Sequence, residues 1–153
     1  MDILGRQMNF LIEIDKLKSI LRRAYISDSS RRENSAEHSW HVATMAMILA
    51  EYATEVIDLL RVIKMLLIHD IPEIDAGDTS IYARASDIDS TNREMRGAAR
   101  IFGLLPEGRV QEVRDLWYEF EQGKTPESRF AKSLDRLIHL IHNFCTKGKR
   151  WKE

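Results

Sequence analysis

The chain has a single cysteine, three prolines and seven glycines in 153 residues, and no run of about 18 apolar residues that could cross a bilayer. Cys145 has no partner for an internal disulfide, so packing must hold the fold, and the thiol reads as a small helix residue rather than a nucleophile. There is no basic leader followed by an apolar segment. A soluble, cytoplasmic protein is therefore expected. Excess charge of either sign is also missing, with 23 basic against 24 acidic side chains. That balance argues against a nucleic-acid polymer or an anionic membrane as partner, but leaves room for a small phosphorylated molecule, which needs only a local cationic site. No internal repeat, low-complexity tract or credible strand pair is visible. What the chain does have is 44% hydrophobic residues, enough for one domain over 1–153 that buries roughly two-thirds of its unfolded surface.

The apolar residues recur with helical spacing almost throughout. Leu4, Met8, Leu11, Ile14, Leu17 and Leu21 predict a first amphipathic helix, broken at Ser27-Asp28-Ser29-Ser30. Asn34 with Glu37 three residues on forms a capping-box signal for a second helix, whose inward face is Val42, Met45, Ala46, Leu49 and Tyr52 or Ala53. A third is expected from about Val56 to Asp70, with Leu59, Leu60, Ile63, Leu66 and Leu67 inward, and Pro72 predicts a bend just beyond it. The polar stretch from Gly77 to about Ser90 suits a loop or lid. A fourth helix from about Thr91 is expected to end at Gly103 in a left-handed conformation. Pro106 opens a fifth, with Val110, Val113, Leu116, Trp117 and Phe120 inward, and Gly123 closes it. Thr125-Pro126-Glu127 starts the last, which buries Phe130, Leu134, Leu137, Ile138 and Ile141. The fold class is all-α, a single multi-helix bundle.

The chemistry centres on His69-Asp70, where the apolar run Val62 to Ile68 ends in an imidazole and a carboxylate side by side. Mixed nitrogen and oxygen ligands of this kind suit a divalent transition metal when they converge from elements that the core holds rigid. His38 and Asp135, each on a different helix, complete one such set. His41, three residues from His38, and His139 and His142, at helical spacing from Asp135, form a rival one.

Three stretches carry a family resemblance: Arg31-Arg32-Glu33-Asn34-Ser35-Ala36-Glu37-His38-Ser39-Trp40, Ile68-His69-Asp70-Ile71-Pro72-Glu73-Ile74-Asp75-Ala76-Gly77-Asp78, and Phe130-Ala131-Lys132-Ser133-Leu134-Asp135-Arg136-Leu137. In this order they resemble the HD superfamily of metal-dependent phosphohydrolases, and within it the 5′-deoxynucleotidase-like branch that acts on nucleoside monophosphates. The resemblance implies His38, His69, Asp70 and Asp135 as ligands of one divalent ion (Mn, Co, Fe, Ni or Zn). It also implies Glu73 and Asp78 for proton transfer and water positioning. Arg31, with Arg22 or Arg23 further upstream, would hold the phosphate, since a guanidinium fork matches its oxygens.

Two features depart from the family pattern. The aromatic residue usually close to the upstream arginine is absent, with Tyr25 nearest to its place, and the chain stops at Glu153 where relatives continue for another helix. The function implied is hydrolysis of nucleoside (deoxyribonucleoside) 5′-monophosphates by metal-activated water, in a homodimer. The alternatives are a non-catalytic metal- or nucleotide-binding helical module, and a phosphodiesterase or pyrophosphohydrolase of the same superfamily. One ion is expected, because no further histidine pair matches a second site, although His41 leaves the number open.

Overall fold

A computed structural model of the chain describes residues 2–77 and 88–152, the side chain of Ile88 excepted. Its elements in order are α1 (Ile3–Ile14), β1 (Leu21–Tyr25), β2 (Arg32–Asn34), α2 (Ser35–Leu49), α3 (Leu59–Ile68), α4 (Glu73–Ala76), α5 (Ile88–Phe102), α6 (Glu107–Gln122) and α7 (Pro126–Cys145). Short 3₁₀ turns follow α1, α2 and α7. The expected all-α bundle is present, with one small addition.

That addition is an antiparallel pairing of β1 with β2, in which Leu21 faces Asn34 and Tyr25 faces Arg32. It corrects the expectation of no strand pair, and it shortens the first helix, which stops at Ile14 before a 3₁₀ turn over Asp15–Ser19. The inward positions of the two strands are Arg22, Ala24 and Glu33. Because charged residues occupy them, the apolar alternation that marks a strand never appears. Only part of the predicted stripe faces inward: Leu4, Met8, Leu11 and Leu21 are exposed, while Ile14 and Leu17 make core contacts, joined by Phe10 and Ile20.

α2 begins as expected, with the Asn34 side chain accepting from Glu37 N and Glu37 accepting from Asn34 N. α3 starts three residues later than the periodicity suggests, where Asp58 caps it by accepting from Arg61 N. Its buried stripe is Val62, Met65 and Leu66, while Leu60 and Leu67 face solvent. The next position on that stripe, one turn past Met65 and Leu66, is His69, so the helix delivers the imidazole into the interior. α7 starts at the expected Thr125 cap, Ser128 closes a capping box with it, and Glu127 accepts from Asp58 N across the bundle.

Glycines act by different means at three helix ends and crossings. Gly123 takes the left-handed conformation expected at the end of α6, with φ of 63°. Gly103 does not, contrary to expectation. It is required because a Cβ there would lie 2.7 Å from the carbonyl oxygen of Ala99. At Gly97, in the middle of α5, a Cβ would lie 2.8 Å from Pro72 O, so α5 presses directly on the turn that carries Glu73.

Two clusters of buried side chains form the core. One joins α2, α3, α6 and α7 through Val42, Met45, Val62, Leu66, Phe120 and Ile138; the other packs Ile101, Phe102 and Trp117 beneath α1 and the 71–74 turn. α6 serves both, with Leu116 and Phe120 on one side and Trp117 on the other. His69 lies between them, its ring 4.8 Å from that of Phe120 and its carbonyl accepting from Trp117 Nε1 at 3.2 Å.

Candidate metal centre

Three helices bring the four predicted ligands together. His38 sits in the first turn of α2, fixed by the capping box; His69 and Asp70 follow the last turn of α3; Asp135 is midway along α7. Ligand atoms of His38, His69 and Asp135 all lie within 4.8 Å of one another. His38 Nε2 is 2.8 Å and His69 Nε2 3.6 Å from Asp135 Oδ1. Asp70 joins them with Oδ1 3.2 Å from His69 Nε2 and Oδ2 3.8 Å from His38 Nε2. His38, His69 and Asp70 are each at most 4% exposed.

The outer nitrogens of the two rings are committed to the protein. His69 Nδ1 lies 2.7 Å from the carbonyl oxygen of Leu66, which can only accept, so Nδ1 carries the proton and Nε2 faces the cluster. His38 Nδ1 donates to Glu33 Oε2 at 3.2 Å. This support of each ring by a second partner is what a metal-binding imidazole requires, because it fixes both tautomer and orientation. His69 Nε2 is buried and has no aligned hydrogen-bond partner among the described residues. A donor atom left in that state between two carboxylates fits a cation ligand.

Electrostatics point the same way. Burial pushes the Asp70 carboxyl up, but His69, Arg22 and His38 outweigh it and hold the group below its ordinary range. Burial acts likewise on Asp135, and the hydrogen bond with His38 together with the nearby His69 ring brings it well below that range. For His38, burial and Arg22 disfavour the charged ring, yet Asp135 and Glu33 raise it above its ordinary value; for His69, burial is outweighed by Asp70 and Asp135. The cluster thus keeps its acids ionised and attracts positive charge. A divalent ion held by these side chains would satisfy the same field, with neutral imidazoles as its ligands.

The remaining predicted residues divide. Glu73 is buried beside the cluster, accepting from Ser35 Oγ at 2.7 Å, with Arg22 Nη1 3.7 Å from the same oxygen. Arg22 is 6% exposed and bonds through Nη1 to Asp70 Oδ2, whereas Arg23, next along the strand, faces solvent. Strand alternation separates the two candidates that the sequence left together. Arg31 is exposed, its fork paired with both Glu37 oxygens at 2.6 and 2.9 Å. Asp78 lies outside the described residues.

Sequence reasoning missed Glu33 and Ser35 as supports for His38 and Glu73. Both fall within the first motif, and the capping box just beyond them is the signal that fixes their direction. Of the rival histidines, His139 stacks on His38 with ring centroids 5.9 Å apart, and burial lowers it to about 4. His41 and His142 group with Glu33 on the far side of His38. An open groove of about 470 Å³ lies at the other end of α2, lined by Leu49, Tyr52, Arg129 and Phe130, and contains none of the residues above.

Comparison with known proteins is consistent with this geometry. A family model described as HD domain matches residues 14–153. The 5′-deoxynucleotidase HDDC2 of Danio rerio is 26% identical over 139 residues, covering 90% of this chain and 68% of that protein. Its Homo sapiens counterpart is 28% identical over 135 residues, covering 88% and 65%. The chain spans about two-thirds of the length of these relatives. Among solved structures, a predicted metal-dependent phosphohydrolase from Magnetospirillum magnetotacticum MS-1 is 57% identical with a TM-score of 0.92, covering 98% of this chain and 75% of that one. A conserved hypothetical protein from Pyrococcus furiosus shares the fold at 24% identity and a TM-score of 0.71.

Proposed function

The chain belongs to the HD domain family and is a metal-dependent phosphohydrolase, and from that premise we propose that it cleaves the phosphate ester of nucleoside 5′-monophosphates, deoxyribonucleotides included. The observation that carries the reading is the convergence of His38, His69 and Asp135 within 4.8 Å, with Asp70 against His69 and Glu73 alongside. In this reading His38, His69, Asp70 and Asp135 hold one divalent ion of the Mn, Co, Fe, Ni or Zn group. When bound, such an ion supplies positive charge for the phosphate oxygens and lowers the pKa of water.

The protein side chains do the rest. Glu73 takes the proton from the attacking water, a role suited to a carboxylate held in place by Ser35 and shielded from bulk solvent. Asp78, four residues after the turn, is assigned to protonation of the leaving oxygen. Arg22 is assigned the phosphate in preference to Arg23, since its guanidinium already reaches Asp70 and Glu73. Arg31 would make a second contact by exchanging Glu37 for a phosphate oxygen. We also assign the protein to the cytoplasm, on its unpaired cysteine, and to a homodimer, for which exposed Trp40, Met47, Leu140 and Phe144 on α2 and α7 offer apolar surface.

The test is release of inorganic phosphate from a panel of ribo- and deoxyribonucleoside monophosphates, after chelation and re-addition of each metal. Turnover restored by at least one metal is expected, and its absence with every metal in a folded protein would sink the enzyme reading. Glu73→Ala should keep the ion and lose roughly 10²–10⁴-fold in kcat. An unchanged rate would remove Glu73 from the mechanism.

A further inference from the structure

The five histidines of the chain fall into two ring groups that meet at Glu33. His38 has the rings of His69 and His139 at 5.5 and 5.9 Å, and His41 stands edge-on to His142 at 6.0 Å. The inner cluster uses His38 and His69. On the opposite side of His38, Glu33 from β2, His41 from α2 and His142 from α7 bring ligand atoms within 4.8 Å of one another.

His142 supplies the second observation. The residue is 3% exposed, and among the described residues its Nδ1 has no hydrogen-bond partner although it faces Glu33 Oε2 at 4.0 Å. That gap is too wide for a direct hydrogen bond. It is a few tenths of an ångström wider than the roughly 3.4 Å that two ligand atoms of a tetrahedral ion span with bonds of about 2.0–2.1 Å, so a small inward turn of the two side chains would let them share one cation. His41 is partly exposed, so the third ligand position opens to solvent and gives an ion a way in. Two imidazoles and one carboxylate, with room for water, make a donor set for Zn²⁺, Co²⁺ or Ni²⁺.

We propose that Glu33, His41 and His142 form a second divalent transition-metal site that shares no ligand with the inner one. An ion there ties β2 to α2 and α7 around one carboxylate. It also acts on the inner site at one remove, because the Glu33 carboxylate receives His38 Nδ1 and thereby holds His38 Nε2 toward Asp70 and Asp135. The outer site stands on its own geometry and does not depend on the hydrolase reading.

The experiment titrates the untagged, chelator-stripped full chain with Co²⁺, following visible absorption, and counts Zn²⁺ retained after gel filtration. Wild type is expected to bind two equivalents, and His41→Ala and Asp135→Ala one each. Loss of His41 should weaken the affected equivalent by more than the ~10–100-fold that a lost supporting hydrogen bond costs. His41→Gln replaces the alanine variant if circular dichroism shows that one unfolded. Two equivalents in the His41 variant, or one in wild type that survives it, would overturn the proposal. So would one equivalent lost from both variants, or no binding by folded wild type. A single equivalent lost from the His41 variant and kept by Asp135→Ala would support the outer site and remove the inner one.

Discussion

The inner and outer histidine clusters share the wall formed by Glu33 and His38 and draw on the same β2, α2 and α7, yet their charge differs sharply. Around the inner ligands stand Asp70, Asp135 and Glu73 with the buried guanidinium of Arg22 among them. The outer group has a single carboxylate and two imidazoles. A site that only holds an ion needs donors whose charge roughly balances it. One that must also bind an anion and move protons needs acids beyond the ligands and a fixed cation; among the described residues Glu73 stands on the inner side, and Arg22 turns Nη1 to it and to Asp70 while its Nε comes within 3.6 Å of Glu33 Oε2. The contrast separates holding an ion from using one, within one fold and a few ångströms.

The largest effect should come from Asp70→Asn, which strikes the inner cluster at both functions. It removes a proposed ligand and leaves Arg22 buried without its main partner, a change that costs about 3–5 kcal/mol for broken buried pairs. Urea unfolding with and without metal checks this. A variant as stable as wild type would mean that Arg22 is compensated by Glu33 and Glu73. Gly97→Ala tests the inner site from outside, since its methyl would meet Pro72 O and displace the turn under Glu73. Overpacking of this kind costs about 1–3 kcal/mol. The kcat should fall while the Co²⁺ stoichiometry of both clusters stays unchanged; a lost equivalent would show that the turn supports ligands as well as Glu73.

The smallest effect belongs to a pair remote from both clusters. Glu119 is pushed up by burial, but bonds from Arg61 and Thr125 outweigh this and leave it below the ordinary carboxylate range. A lowered folded pKa means that the unfolded chain binds the proton more readily, so the contribution is complete above about pH 4.5 and fades as pH falls through the folded value. Arg61→Ala should therefore cost at most ~1 kcal/mol near neutral pH, discounted because Arg61 is largely exposed. Thermal melts should show the difference narrowing as pH falls below about 4.5. A gap that persists into acid would assign it to packing.

Much of this organisation was legible in the sequence. The caps at Asn34 and Thr125, the proline at Pro126 and the glycine at Gly123 act through local chemistry, and each helix begins or ends there. His69-Asp70 was legible because an apolar run ends in two ligand types. β1 and β2 were hidden because their inward residues, Arg22 and Glu33, serve the site rather than a core. The rotation of α3, which buries Val62 and Met65 in place of Leu60 and Leu67, was hidden because nearly every residue of that helix is apolar and the periodicity cannot choose a face. The neighbours α2, α6 and α7 choose it. Glu33 and His142 carry no local sign of their pairing, since they lie on a strand and a helix and are more than a hundred residues apart in the chain.

The bond from Trp117 Nε1 to the carbonyl oxygen of His69 has an optical consequence. Trp117 is 3% exposed, whereas Trp40 and Trp151 are 64% and 68% exposed. An indole in the dry interior emits at shorter wavelength than one in water, so the blue edge of the fluorescence belongs to the residue anchored on the first half of the His69-Asp70 pair. The chain thereby carries its own lamp one residue from the acid that steadies Arg22, and a dye or label is not needed to watch that corner of the molecule.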